Sequence, residues 1–337
     1  MMEKHGQPSP LGQFLGPFSL RALTRISTTC CVVLVLTYVY FTSFGYPMTD
    51  PLAEINLNSK DLQTMLGTMI RDVLGETLGI PTIHPDRRHL QRGKNAMVAS
   101  DVPLCSSMGR DILLAGGNAA DAAVTVALCI GLVNSHSSGI GGGGFITSYN
   151  QGEAISIDAR EMAPALSFKD MYKGQEVLLK FGGLAVAVPG ELAGLSALFE
   201  THGLGNLTWA QLVEPVISLN REGFRVGQVL LLALRTIEQY STMLKFTRLL
   251  DSWDYIFKNK NKLEFVTQGD YISRPHLAKT LELIALNGSS AVFYDPDGPI
   301  VQSLVKTIKD CGGITDAKDF ADYKVHITPA LKFDLDD

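Results

Sequence analysis

Hydrophobic residues along this chain follow helical spacing more often than strand spacing. Residues 119–133 are alanine and aliphatic almost all round, which predicts a buried helix that Asn118 can cap. Apolar positions three and four residues apart predict further helices. These span residues 105–115, 191–202, 209–222, 274–287, 300–310 and 316–323. Residues 228–262 continue the helical pattern in poorer register.

Short apolar runs bounded by glycine, proline or polar residues predict strands. A hairpin is expected from residues 145–149 and 154–157, and single strands from 96–99, 184–188 and 330–333. The mixture of buried helices and strands indicates an α/β fold.

The stretch Ile26–Thr49 has 24 residues without a charge and as a helix would reach about 36 Å, enough to cross a membrane. Arg21 and Arg25 precede it, whereas Asp50 and Glu54 follow it. This charge asymmetry predicts a single-pass type II anchor with the N-terminus in the cytoplasm. The alternative is a cleaved signal peptide, which fits less well because 25 residues precede the run and no small-x-small site ends it.

These signals predict four parts along the chain. We expect a cytoplasmic tail over residues 1–25, a transmembrane signal anchor over 26–49, a stalk or linker over 50–95 and a domain over 96–337. The bulk of the chain would then lie outside the cell, at the plasma membrane. A formal net charge of −5 gives no sign of a nucleic-acid surface.

The most distinctive stretch is Ser137–Phe145, in which the four glycines Gly141–Gly144 follow a predicted helix and precede a predicted strand. It matches G-x-G-x-x-G literally, but a dinucleotide site needs the strand before the glycines and the helix after them. Nucleotide binding is therefore rejected. Arg160 lies sixteen residues past Gly144, and its planar guanidinium fits a carboxylate. This spacing indicates an anion site and no more.

Six blocks of sequence occur in the order found in one enzyme family. They are residues 98–101 (VASD), 105–111 (CSSMGRD), 117–123 (GNAADAA), 136–143 (HSSGIGGG), 158–164 (DAREMAP) and 186–191 (VAVPGE). With these blocks the chain resembles the γ-glutamyltransferase (glutathione hydrolase) family. The resemblance covers the chain from about Ala96 onward and corresponds to the N-terminal part of that family's large subunit.

The resemblance implies a fold and one binding residue. The fold would be a partial αββα sandwich of the N-terminal-nucleophile hydrolase type. Arg160 would grip the α-carboxylate of the γ-glutamyl group, and the alternative for Arg160 is a structural salt bridge to Glu161 or Asp158. We expect His136 to be a hydrogen-bonded core histidine, and Pro189–Glu191 to be a strand-to-helix turn without a role in chemistry.

Five cysteines are too few for a disulfide scaffold. Outside the cell, Cys105 and Cys129 could form a disulfide or remain two buried thiols. The resemblance favours the disulfide, because these positions match the family's first pair, and it leaves Cys311 over. Asn206 and Asn287 begin glycosylation sequons.

The mechanism that the resemblance implies is covalent catalysis by a threonine, which self-cleavage frees at the start of the small subunit. Its signature, a glycine pair before Thr-(Ala/Ser)-His, does not occur in these 337 residues. We therefore expect no catalytic nucleophile in this chain and no activity of the chain alone. The small subunit of the same precursor would be its partner, and we expect neither a cofactor nor a metal.

Two functional hypotheses follow. The first is a membrane-anchored extracellular glutathione hydrolase, which cleaves the γ-glutamyl amide of glutathione and passes the γ-glutamyl group to water or to an acceptor amino acid or peptide. The second is a truncated, non-catalytic membrane protein that acts as an interaction or decoy subunit. The second predicts a stable, folded 337-residue product at the membrane, and detection of native, protease-resistant protein of that length in membranes would favour it.

Overall fold

The computed structural model describes residues 90–238 and 253–333. All but the first two of these belong to one compact unit, Arg92–Asp337. Its helices are α1 (Pro103–Leu114), α2 (Ala119–Val133), α3 (Glu191–His202), α4 (Trp209–Glu222), α5 (Gln228–Glu238), α6 (Pro275–Asn287), α7 (Ala291–Tyr294), α8 (Pro299–Asp310) and α9 (Ala317–Asp322).

The described strands form one three-stranded sheet and two small pairs. They are β1 (Gly144–Asn150), β2 (Glu153–Ala159), β3 (Phe224–Arg225), β4 (Phe257–Asn259), β5 (Glu264–Phe265), β6 (Tyr271–Ile272) and β7 (His326–Pro329). The sheet order is β1-β2-β7, with both pairings antiparallel, while β3 pairs with β6 and β4 with β5. The predicted hairpin is confirmed, since Gly144 pairs with Ala159 and Asn150 with Glu153.

The predicted buried helix is α2, with the expected bounds. Asn118 caps it in a box with Asp121, in which each side chain accepts a hydrogen bond from the other residue's backbone N–H. Aliphatic side chains of α2 pack with those of α4 and α6 in the main core. Cys105 of α1 and Cys129 of α2 form the expected disulfide, with Cα atoms 5.4 Å apart.

The three-stranded sheet packs one face against α3. Alternate residues of β2, Ile155, Ile157 and Ala159, are buried there with Ala197 and Leu198. The alternation of β1 leaves its other face, including Phe145 and Tyr149, exposed to solvent. The sheet thereby fixes the end of β2, from which the chain continues into Arg160.

The predicted single strands are wrong in three places. Residues 96–99 form no strand. Residues 183–185 form a 3₁₀ turn, because the N–H of Gly183 donates to the carbonyl of Cys311, and Val188 makes only an isolated bridge to Met162. The last strand is β7, four residues earlier than predicted, because its pairing with β2 ends where Ile155 faces Pro329, close to the start of β2.

The long helical prediction over residues 228–262 is correct for α5 and wrong for 254–262. The latter contain 3₁₀ turns and β4, closed by Leu263 in the left-handed conformation with φ of 52°. The polar run 258–262 offers few side chains for an apolar helix face. The predicted membrane anchor, residues 26–49, lies outside the described residues. Among residues 90–238 and 253–333 no helix is long and apolar enough to span a bilayer.

Candidate active site

The glycine-rich stretch forms one wall of a cavity of about 430 Å³. Residues 135–143, between the end of α2 and β1, line it. Arg160 and Glu161 contribute from the end of β2, and Tyr255 and Arg274 line it as well. The volume falls within the range of small-molecule sites. Residues far apart in sequence therefore meet around the stretch that the sequence singled out.

At two positions of this wall only glycine fits, because another backbone segment lies very close. A Cβ on Gly143 would lie 3.1 Å from both the Cα of Arg160 and the backbone nitrogen of Glu161. Gly139 has φ of 140°, and a Cβ on Gly131 of α2 would lie 2.5 Å from its Cα. Gly141, in contrast, has nothing within 4 Å of an added Cβ. The turn thus fits between α2 and the chain at Arg160 because these positions lack side chains.

Glu191 fastens the glycine turn to the start of α3. Its Oε2 accepts hydrogen bonds from the Ser138 hydroxyl at 2.7 Å and the Gly139 N–H at 3.1 Å. The N–H groups of Gly190 and Glu191 both donate to the carbonyl of Gly142. Burial raises the pKa of Glu191, with Glu161 adding a smaller effect in the same direction. The sequence had assigned this residue only to a turn.

Arg160 presents a half-exposed guanidinium to the cavity. Its Nη2 lies 3.2 Å from Oε2 of Glu161, and its backbone N–H donates to Oδ1 of Asp158 at 3.0 Å. The structural salt bridge considered from sequence is therefore present for Glu161. A pair this exposed is weak and easily exchanged for another carboxylate.

Two stacked tyrosines hold the backbone at Arg160 and at Pro189. The Tyr323 hydroxyl donates to the carbonyl of Arg160 at 2.9 Å, and that of Tyr294 donates to the carbonyl of Pro189 at 2.9 Å. The two rings lie 5.4 Å apart with 12° between their planes. Burial, reinforced by Asp158 and Glu161, raises the pKa of Tyr323 to about 12, so its hydroxyl remains a donor at neutral pH.

A second arginine lies in the cavity and was not identified from sequence. The Arg274 guanidinium carbon lies 4.3 Å from the centre of the Tyr255 ring, a cation–π contact. The Tyr255 hydroxyl lies 3.3 Å from that of Ser135 in the glycine wall. Burial lowers the pKa of Arg274, although the guanidinium stays charged. No local motif marks Arg274, since only the tertiary fold brings it to the glycine turn.

The sequence profile of the family described as Gamma-glutamyltranspeptidase matches residues 105–337, more than half of the chain. The chain belongs to the gamma-glutamyltranspeptidase family. The resemblance seen in the six sequence blocks is thereby confirmed.

Curated relatives of this gamma-glutamyltranspeptidase family member include fungal and plant proteins. Glutathione hydrolase proenzyme 2 of Schizosaccharomyces pombe is 42% identical over 246 residues, which are 72% of this chain and 38% of that protein. Glutathione hydrolase 3 of Arabidopsis thaliana is 35% identical over 313 residues, 92% of this chain and 44% of that protein. The chain thus spans less than half the length of these two relatives.

Solved structures support the same family and fold. Helicobacter pylori gamma-glutamyltranspeptidase has 32% identity and a TM-score of 0.62, covering 71% of this chain and 66% of that chain. The Bacillus anthracis transpeptidase CapD has 27% identity and a TM-score of 0.56, covering 72% and 73%. The predicted α/β fold of the N-terminal-nucleophile hydrolase type is therefore confirmed.

The prediction that His136 is a hydrogen-bonded core histidine is wrong. His136 lines the cavity and is exposed rather than buried in the core, because it lies in the turn that follows α2 and not in the helix itself. Partial burial lowers the pKa of His136, which favours the neutral imidazole. The residue lies at the cavity but outside the hydrogen bonds that shape the glycine turn.

The other predicted positions do not line the cavity. Asn206 and Asn287 are exposed, and the Asn206 side-chain amide donates to the carbonyl of Gly116 at 3.0 Å. Their glycosylation stays a prediction. Cys311 is a free, partly exposed cysteine at the end of α8. The Cys105–Cys129 disulfide joins α1 to α2, and neither cysteine lines the cavity.

Proposed function

We propose that this chain forms the carboxylate-binding part of a glutathione hydrolase that cleaves γ-glutamyl amides and transfers the γ-glutamyl group to water or to an acceptor amino acid or peptide. One observation carries the proposal. The Arg160 guanidinium is half exposed in a cavity walled by the family's glycine turn, and its backbone is fixed from behind by Tyr323.

Arg160 would bind the α-carboxylate of the γ-glutamyl group. A guanidinium can donate two parallel hydrogen bonds to one carboxylate, which sets both its position and its orientation. The exposed pair with Glu161 contributes little, so an arriving carboxylate can share or replace it. The glycine wall allows the substrate to approach backbone that side chains would otherwise cover.

The nucleophile belongs to another part of the proposed enzyme. The family resemblance implies an N-terminal threonine after a glycine pair, and these 337 residues contain no such motif. The matched relatives are more than twice as long as the aligned region. We therefore propose that a small subunit supplies the threonine, and that residues 50–337 by themselves bind but do not turn over substrate. Measurable γ-glutamyl hydrolysis by purified residues 50–337 would contradict this.

The test of Arg160 uses the natural protein, purified from cells after they have processed it. Arg160→Gln should lower kcat/KM for glutathione by about 10- to 100-fold, because one or two charge-assisted hydrogen bonds are lost. Arg110→Gln is the matched control, since Arg110 is also exposed and also pairs with the acidic residue that follows it, outside the cavity. Equal activity of both variants would refute the role of Arg160. A natural protein without any γ-glutamyl hydrolysis would instead favour the interaction or decoy subunit.

We further propose that residues 26–49 anchor the chain and place the cavity outside the cell. The uncharged stretch and the arginines before it support this. Protease added to intact cells should digest the domain and spare an N-terminal tag. Release of the whole protein by a carbonate wash would rule out the anchor.

A further inference from the structure

Arg274 differs from the other cavity arginine in its charge partners. Arg160 pairs with Glu161, whereas no carboxylate among the described residues forms an ion pair with Arg274. Arg274 is also the more desolvated, and burial lowers its pKa. A charge that has lost part of its hydration is stabilised by a counter-charge. The Arg274 guanidinium is partly exposed and lines the cavity, so it can pair with an anion that enters.

The surroundings of Arg274 preorganise it for such an anion. Its guanidinium carbon lies over the Tyr255 ring. A guanidinium that stacks on a ring keeps N–H groups along its edge with which it can donate hydrogen bonds. The Tyr255 hydroxyl in turn lies 3.3 Å from the Ser135 hydroxyl. A guanidinium whose orientation is set in advance loses little entropy when it binds a planar carboxylate.

The start of α6 adds a second, independent source of positive potential. Arg274 is the residue before its first turn, and no side chain caps that 13-residue helix. Uncapped N-terminal N–H groups and the helix dipole favour an anion. Leu277, in this first turn, lines the same cavity as Arg274. The guanidinium and the first turn of α6 therefore both border the cavity.

We propose that Arg274 binds the C-terminal carboxylate of a γ-glutamyl peptide and so selects peptides over simple γ-glutamyl amides. The inference rests on the proposed function and names the specificity of that site. Glutathione carries two carboxylates, one on the γ-glutamyl residue and one on the terminal glycine. Arg160 takes the first and Arg274 the second, which places the scissile amide between two cationic groups.

The experiment compares glutathione with its glycinamide analogue, which lacks only the C-terminal carboxylate. It uses the natural protein, purified from cells after processing. Arg274→Leu should lower kcat/KM for glutathione by about 10- to 100-fold, mainly through KM, and change the value for the glycinamide by less than about twofold. Arg274→Lys should recover part of the loss, since it keeps the charge without the fork.

Arg225→Leu is the matched control. Arg225 also lies over a tyrosine, 4.7 Å from the ring centre of Tyr271, but on the β3–β6 pair outside the cavity. It should leave both substrates unaffected. Equal losses on glutathione and the glycinamide in Arg274→Leu would show a structural role and overturn the inference. Unchanged activity on both would overturn it too, while a natural protein inactive on both refutes the proposed function itself.

Discussion

The helix pair α1–α2 and the glycine turn that follows it are neighbours in the chain, yet different forces shape them. The helix pair is fixed by partners close in sequence, with Cys105 and Cys129 separated by 24 residues and Asn118 bonded to Asp121. The turn is fixed by distant residues, since Glu191 lies 52 positions from Gly139.

This difference separates stability from function. The helix pair supplies buried aliphatic side chains and a covalent link, so changes there should act on unfolding. The turn shapes the cavity through close backbone contacts, which are possible because the residues there are glycines. Changes there should act on binding more than on the helix core.

The largest expected effect lies in the helix pair. Changing Cys105 and Cys129 to alanine should lower the free energy of unfolding by about 2–5 kcal/mol, because the cross-link restricts the unfolded chain. Urea unfolding with and without reductant measures it. Cys311→Ala is the control, since that cysteine is free, and it should leave unfolding unchanged. Equal stability of the double variant and the natural protein would show that local packing suffices.

The next effect tests the turn. Gly143→Ala should cost about 1–3 kcal/mol, because the added methyl group meets the backbone of residues 159–161 and forces it to move. The movement displaces Arg160, so the affinity for glutathione should fall as well. Gly141→Ala is the matched control with open space around it, and it should change stability by less than about 0.5 kcal/mol. Identical behaviour of the two alanine variants would contradict the close fit.

A smaller effect is expected at the cap of α2. Asn118→Ala should lower the free energy of unfolding by about 1 kcal/mol, because the N–H of Asp121 loses its acceptor. Asn118→Asp keeps that acceptor but loses the 2.7 Å bond donated to the carbonyl of His202, so it should lie between the two. Thermal unfolding of the three proteins gives the order, and a destabilised aspartate variant with an unaffected alanine variant would refute it.

The smallest effect is a pH dependence at Glu191. Burial raises its pKa in the folded state, so the folded protein binds this proton more tightly than the unfolded chain. The contribution to stability is complete below the unfolded pKa of about 4.5 and is lost as pH rises through the raised folded value. Glu191→Gln should remove this loss, so its stability relative to the natural protein should increase with pH. Parallel stability curves from urea unfolding at several pH values would contradict the assignment.

Much of the helical framework follows from local sequence. Helices α2 and α4 have the predicted bounds, because periodic apolar residues and the side-chain caps at Asn118 and Thr208 act within a few positions. The hairpin of β1 and β2 is likewise local. The strand predicted over residues 330–333 failed because β7 depends on where β2, about 170 positions earlier, offers a pairing edge.

The sequence by itself determined the family and singled out the glycine turn and Arg160 as candidate site residues. This was possible because those residues lie in contiguous motifs, each of which can be interpreted alone. Only the tertiary structure decided the rest of the site. Glu191 reaches the glycine turn, Tyr323 reaches the carbonyl of Arg160, and Arg274 enters the same cavity. These contacts join elements whose relative placement depends on packing of the whole unit. Side-chain periodicity predicts local secondary structure only and does not indicate which distant elements meet.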